Sequence, residues 1–181
     1  MYLTGYHGTS KEYAENILNN QRFVPSIGEK QWLGQGIYFY PNFEDALNWA
    51  KKYHPNNEAV IHALICVDDE EIIDFDAPDG KKLFHDIIWA MGEQLNLSET
   101  QVQKNQCIVC NTIWATNNKI KVLKSHFGKE QTLFRTLIDY REQRLELCVR
   151  DNSVIQGICE IPLQNNNSDL ISMHKKEMKI K

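Results

Sequence analysis

The segment AVIHALICV, from Ala59 to Val67, is the part of the sequence that most limits what the chain can fold into. It is apolar at nearly every position, whereas a strand with one solvent-facing side would alternate apolar and polar residues. The run therefore predicts a strand that is buried on both faces or lies at the centre of a sheet. Neighbouring segments have to supply the strands and helices around it.

Strand and helix patterns surround this run without regular alternation. The start of the chain, YLTGYHGTS, is typical of a short strand that ends at Gly8, and Thr9 and Glu12 have the spacing of a capping box. GIYFY predicts a strand that stops at Pro41, and Asn42 is a suitable N-cap for a helix over FEDALNWAKKY. Further strands are predicted for EIIDF, RLELCVRD and VIQGICEIPL. This irregular order favours an α+β fold.

The length of 181 residues suits one domain with its own core. From Lys81 to about Tyr140, helical patterns such as KKLFHDIIWAMGEQL replace the strand patterns. We therefore expect a single domain over residues 1–165 with a helical insertion at about 81–140. The tail, residues 166–181, is polar and then basic, and it is expected to fray.

Composition indicates a protein of the cytoplasm. No apolar run approaches the roughly 20 residues that cross a membrane, and the start of the chain lacks the order of a signal peptide. The five cysteines are an odd number without framework spacing, which is typical of reduced thiols. Cys107 and Cys110 form a C-x-x-C without a second pair or nearby histidines, so we favour buried thiols and expect no metal.

The charge argues against a general nucleic-acid binder. The formal net charge is −4, whereas such binders depend on a basic surface. A local exception is the cluster Lys119, Lys121 and Lys124, which could steer a phosphate backbone or could simply form a solvated face.

Glu146 needs an explanation because it lies midway along a predicted strand, where glutamate is depleted and an unpaired buried charge is costly. It could be an edge-strand carboxylate that faces water, or a partner of Arg144 or Arg150. It could also be part of a cleft, but that interpretation requires other polar groups to converge on the same place.

Three further residues are candidates for such a cleft. His7 follows a predicted strand and precedes Gly8, which lets a ligand approach the backbone closely, although a structural histidine is also consistent with this position. Tyr38 lies on a predicted strand and Trp49 on the following helix. These two aromatic residues could pack in the core or flank a ligand.

Taken together, these segments resemble one known family. YHGT near the start, GQGIYF followed by an aromatic residue at Trp49, and LELCVRD around Glu146 resemble the H-Y-E class of ADP-ribosyltransferases. This class includes the catalytic domains of poly-ADP-ribose polymerases and of diphtheria toxin. The three blocks occur in the family order between Tyr6 and about Ile155. The resemblance implies a split β-sandwich, in which two small and mostly antiparallel sheets with flanking helices form a site for NAD.

The resemblance also implies roles for individual residues. The nicotinamide ring would lie between Tyr38 and Trp49, which is a reason for aromatic residues to surround this glycine-rich turn. Glu146 would stabilise the ribosyl cation that forms when the bond to nicotinamide breaks. His7 would bond the adenosine ribose. Tyr38, His7 and Glu146 are therefore the expected catalytic residues.

Further contacts to NAD are implied near the start of the chain. Gly8 would bond the carboxamide through its backbone, and the Thr9 hydroxyl would lie nearby. Arg22 would contact the pyrophosphate, unless it is a plain surface charge. The chain departs from the family at Ala46, where some members have a serine that bonds the carboxamide.

The resemblance implies a mono-ADP-ribosyltransferase with NAD as co-substrate and a macromolecular acceptor, protein or nucleic acid. Arg144 stands two residues before Glu146, where the arginine-modifying R-S-E class has a glutamate, so arginine side chains are disfavoured as acceptors. An NAD glycohydrolase and a non-catalytic NAD or ADP-ribose-binding module are the alternatives. By analogy we expect a toxin or defence role, with an antitoxin or inhibitor protein as a partner.

Overall fold

A computed structural model of the chain describes residues 1–28, 31–95, 106–127 and 144–163. Within these ranges the chain forms seven strands and four α-helices. The strands are β1 (Tyr2–Ser10), β2 (Ile37–Phe39), β3 (Glu58–Cys66), β4 (Ile72–Asp74), β5 (Val122–Phe127), β6 (Arg144–Val149) and β7 (Ile155–Glu160). The helices are α1 (Lys11–Asn20), α2 (Phe43–Tyr53), α3 (Pro78–Leu95) and α4 (Gln106–Thr116).

The strands form two small sheets, so the chain is an α+β protein. The first sheet has the order β1-β3-β7 and is antiparallel. The second has the order β2-β6-β5-β4 and is antiparallel except for the β4–β5 pair. The apolar run that predicted a central strand is β3, the middle strand of the first sheet, and Val60, Ile61 and Ala63 are completely buried there.

The main core lies between the two sheets. Ile61 and Ile65 of β3 belong to the same buried cluster as Phe39 of β2 and Val149 of β6. At one corner the sheets are also joined through the backbone, where Tyr6 of β1 and Tyr40 exchange two hydrogen bonds with N–O distances of 2.7 and 2.8 Å. Both sheets therefore contribute to one buried interior.

Side-chain hydrogen bonds cap the N-termini of both α1 and α2. The N-cap of α1 is Ser10, whose side chain accepts from the Tyr13 N–H, so the predicted capping role of Thr9 is wrong by one residue because β1 continues through Ser10. The predicted N-cap of α2 is confirmed: the Asn42 side chain accepts from the Glu44 N–H at 3.0 Å.

The predicted helical block at 81–140 needs one correction. Two of its segments are helical, α3 and α4, and they pack on each other through Ile88 and Val109. Val122–Phe127, however, form strand β5, which pairs with both β4 and β6. This part of the block therefore belongs to the second sheet. Residues 96–105 and 128–143 of the block, and the tail predicted at 166–181, lie outside the described residues.

Candidate functional site

A cleft of about 690 Å³ lies where β1, β2, α2 and β6 meet. This volume is in the range of small-molecule sites. The cleft is lined by five of the residues that the sequence singled out: His7, Gly8, Tyr38, Trp49 and Glu146. The convergence of a late carboxylate, an early histidine and two aromatic residues is therefore present in the structure.

Glu146 reaches the cleft because β6 alternates its side chains. Leu147 and Val149 point into the main core, and Glu146 and Cys148 lie on the opposite face. Since β6 lies between β2 and β5, Glu146 is not on an edge strand. The interpretation as a water-facing edge carboxylate is therefore excluded.

Burial disfavours the charged form of Glu146, whereas two neighbouring side chains favour it. Burial raises the pKa of Glu146 above its ordinary value, while the Tyr40 hydroxyl and the Arg144 guanidinium lower it. The Tyr40 hydroxyl donates to Oε1 at 3.3 Å. Arg144 also pairs with Asp45 of α2, with an Nε–Oδ1 distance of 3.4 Å. One of the partners considered from the sequence, Arg144, is thus indeed a neighbour.

His7 lines the cleft and is held there by a hydrogen bond from one ring nitrogen. Its Nδ1 lies 2.8 Å from the Tyr38 carbonyl oxygen, and a carbonyl can only accept, so Nδ1 carries the proton. Burial lowers the pKa of His7 and keeps the ring neutral at pH 7. In that tautomer Nε2 has a free lone pair, which suits a ligand hydroxyl.

The Tyr38 side chain is held by two hydrogen bonds at its hydroxyl group. Its hydroxyl donates to the Gly34 carbonyl at 2.7 Å and accepts from the Leu33 N–H at 2.9 Å. Gly34 has φ +82°, a backbone conformation that favours glycine, and this turn brings the carbonyl toward the hydroxyl. The glycine-rich turn before β2 therefore fixes one aromatic side of the cleft.

The second aromatic side is on α2. Trp49 contacts Tyr53 with ring centroids 4.7 Å apart, and Tyr53 lines the cleft as well. The position of α2 depends on Gly8, because a Cβ atom there would lie 2.2 Å from the Ala46 carbonyl oxygen. Gly8 thus lines the cleft and also lets the helix lie directly on β1.

Two predicted binding residues are not among the residues that line the cleft. Thr9 is buried at the end of β1. Arg22 follows the end of α1, where the next residue, Phe23, is held by Asn152. The described basic residues that do line the cleft are Lys52 and Arg144.

Sequence reasoning gave no binding or catalytic role to nine of the lining residues: Ser26, Gln31, Trp32, Tyr40, Asn48, Lys52, Tyr53, Phe127 and Arg144. Periodicity contained a signal for four of them. Tyr40 and Arg144 stand two residues from Tyr38 and Glu146 in strands, and Lys52 and Tyr53 stand three and four residues after Trp49 in a helix.

The other candidate sites gain no support from their surroundings. In the lysine cluster, Lys121 pairs with Asp151 at 3.6 Å and Lys124 pairs with Asp74 at 2.9 Å, which reduces the charge available to a phosphate backbone. Cys107 and Cys110 are buried in α4, and burial raises the pKa of Cys110 to about 12. Among the described residues, no group of three or more His, Cys, Asp or Glu side chains could hold a metal ion.

Comparison with known proteins finds one relative in sequence. An uncharacterized protein of Methanocaldococcus jannaschii is 29% identical over 187 aligned positions, which cover 86% of each chain. No protein-family model and no solved structure matches the chain. Of the helices in the described part of the chain, none combines the length and the apolar character that crossing a bilayer requires.

Proposed function

We propose that this chain is a mono-ADP-ribosyltransferase, which cleaves NAD at the nicotinamide glycosidic bond and transfers ADP-ribose to a macromolecule. The observation that supports the proposal is the convergence of Glu146 with His7, Tyr38 and Trp49 on one cleft. These residues come from four different elements, and the resemblance to the H-Y-E class implies a role for each of them.

In the proposed complex, the nicotinamide ring lies between Tyr38 and Trp49, and the backbone of Gly8 bonds its carboxamide. His7 Nε2 accepts a hydrogen bond from the hydroxyl of the adenosine ribose. The pyrophosphate needs a cation, and we assign this role to Lys52, because it lines the cleft and Arg22 does not. Lys52 is three residues after Trp49, about one helical turn along α2.

The chemistry follows from the charge of Glu146. The C–N bond breaks with its electron pair going to nicotinamide, which leaves as a neutral molecule, and the ribose carbon becomes electron-deficient. The Glu146 carboxylate accepts a hydrogen bond from the ribose 2′-hydroxyl and stabilises this developing positive charge. The nucleophile of the acceptor then bonds to the same carbon and loses a proton.

The acceptor is a protein or a nucleic acid. A cationic acceptor such as an arginine side chain is disfavoured, because Arg144 lines the cleft beside Glu146 and would repel it. A toxin or defence role, an antitoxin or inhibitor partner and a cytoplasmic location stay predictions.

The direct test is incubation of the purified protein and a cell lysate with NAD labelled on the adenylate phosphate. We expect label on a macromolecule, together with release of nicotinamide, and digestion with protease or nuclease identifies the acceptor class. Label found as free ADP-ribose alone would instead identify an NAD glycohydrolase. NAD that is bound and never consumed would identify a binding module.

We predict that Trp49→Ala weakens NAD binding about tenfold or more, whereas Trp49→Phe stays within about threefold of the wild type. An aromatic ring contributes about 0.5–1.5 kcal/mol of stacking beyond the area that it buries, and phenylalanine retains the ring. Isothermal titration calorimetry measures both dissociation constants. The matched control is Trp89→Ala, because Trp89 on α3 is 61% exposed and does not line the cleft. Equal losses of NAD affinity in Trp49→Ala and Trp89→Ala would contradict the placement of Trp49 beside the nicotinamide ring.

We also predict that NAD affinity is constant from pH 8 to pH 7 and decreases only below about pH 6.5. Binding needs the neutral His7, and burial holds the His7 pKa below its ordinary value of 6.5. Protonation therefore removes the Nε2 acceptor only as the pH falls through that lowered pKa. The measurement is the NAD dissociation constant against pH, alongside NMR titration of the His7 ring. An affinity that already falls between pH 8 and pH 7 would be inconsistent with this role of His7.

A further inference from the structure

Tyr40 joins the two sheets at the edge of the cleft. It directly follows β2, and its backbone pairs with Tyr6 of β1 at N–O distances of 2.7 and 2.8 Å. Its side chain turns instead to the second sheet, where the hydroxyl donates to Glu146 Oε1 at 3.3 Å. None of the sequence motifs assigns a role to this tyrosine.

The contact follows from the strand register. In the β2–β6 ladder, Phe39 lies opposite Leu147, so the next position of the same ladder would place Tyr40 opposite Glu146. Residues opposite each other in antiparallel strands have their Cβ atoms about 4.5–5.5 Å apart, which is within reach of a tyrosine side chain. The backbone of Tyr40 pairs with β1, whereas its side chain contacts Glu146.

We propose that Tyr40 is a positioning residue that fixes the orientation and the ionised state of the Glu146 carboxylate. With Oε1 held by the hydroxyl of Tyr40, Oε2 is the oxygen that turns toward a ligand in the cleft. The same residue ties Glu146 to β1 through its backbone pair with Tyr6, and β1 also presents His7 to the cleft. Tyr40 thereby sets the distance between the groups that the two sheets contribute. The catalytic consequence rests on the proposed function, whereas the effect on the carboxylate does not.

The groups that face Glu146 allow the effect of Tyr40 to be predicted. Arg144 of the same strand stabilises the carboxylate, and Asp45 of α2 opposes it. Tyr38 and Cys148 lie on the same face as Glu146, but their side chains donate to the Gly34 carbonyl. Ser125 of β5 lies opposite Glu146 in the sheet, and its hydroxyl donates to Asp76. A hydrogen bond to the charged form of an acid lowers its pKa, so removing the Tyr40 hydroxyl raises the pKa of Glu146 further.

The test is Tyr40→Phe, which keeps the ring that packs with Tyr6 and Ala46 and removes the hydroxyl. NMR titration of carbon-13-labelled glutamate carboxyl groups, with the Glu146 signal identified by its loss in Glu146→Gln, gives the midpoint directly. We expect the Glu146 midpoint to move to higher pH in Tyr40→Phe. In the transferase assay we expect kcat to fall about 10- to 100-fold, with little change in KM for NAD. In the profile of kcat against pH, the acidic limb should move to higher pH together with the carboxyl midpoint.

The control is Tyr13→Phe, the same chemical change at a position of α1 that is 63% exposed, for which we expect no change in midpoint or kcat. An unchanged Glu146 midpoint in folded Tyr40→Phe overturns the proposal. If Tyr40→Phe does not fold, the wild-type protein still decides: the Tyr40 ring signals must shift with the same midpoint as the Glu146 carboxyl, and independent midpoints overturn the proposal. Because these titrations need no turnover, a protein that never consumes NAD would refute the transferase proposal and leave this one testable.

Discussion

Glu146→Gln is expected to remove most NAD turnover, lowering kcat by about 10² to 10⁴-fold, while NAD binding stays close to that of the wild type. Glutamine has nearly the same shape as glutamate and can still accept a hydrogen bond from the ribose. It has no negative charge to stabilise the ribosyl cation, so the loss falls on the transition state and not on the bound ground state. The measurement is single-turnover release of nicotinamide together with calorimetric binding of NAD.

The matched control for Glu146→Gln is Glu15→Gln. Glu15 is an exposed residue of α1 that does not line the cleft, and its replacement removes the same charge elsewhere. We expect wild-type turnover in the control. Near-wild-type turnover in Glu146→Gln would show that this carboxylate is not the catalytic group, whichever reaction the cleft supports.

Gly8→Ala is expected to reduce the free energy of unfolding by at least about 2 kcal/mol and to weaken NAD binding. The added Cβ would lie 2.2 Å from the Ala46 carbonyl oxygen and 3.2 Å from the Ala50 nitrogen, and both are backbone atoms of α2. The helix therefore has to move away from β1. Because α2 also carries Trp49, the aromatic side of the cleft has to move with it.

Chemical denaturation followed by tryptophan fluorescence measures the stability of Gly8→Ala. Gly28→Ala is the matched control, since a Cβ there would meet one side-chain atom, Gln31 Nε2, at 3.4 Å. For the control we expect a change within about 0.5 kcal/mol. Equal stability of the two variants would mean that α2 does not depend on the glycine for its approach.

The parts of the fold that the sequence predicts well are those with local signals. The β3 strand was predictable because its apolar run continues through both faces, and the start of α2 because Asn42 follows a proline that ends the preceding strand. Strand β5 was not predictable in the same way. Its Val122 and Leu123 are followed by the polar Lys124 and Ser125, and the strand is defined by pairing with two segments far from it in sequence.

The residues of the candidate site also differ in whether a local sequence signal identifies them. Glu146 could be identified because a carboxylate inside an apolar strand is unusual, and Trp49 because of its position within a family pattern. The bond between Tyr40 and Glu146 depends on the register of two strands that are distant in the chain, and periodicity does not contain that register. Arg22, for which the sequence also allowed a plain surface charge, does not line the cleft, and the residue after it is bonded to Asn152, which is far from it in the chain.

The order of strands in the second sheet has a consequence for when the cleft can form during synthesis. The ribosome delivers His7 early and Glu146 much later, and β2 has no partner in its sheet until β6 has emerged. A nascent chain that lacks β6 therefore contains His7, Tyr38 and Trp49 but not Glu146, which lines the same cleft. The cleft therefore cannot be complete until β6 has been synthesised, and a ligand that binds only the folded cleft would raise the melting temperature of the protein.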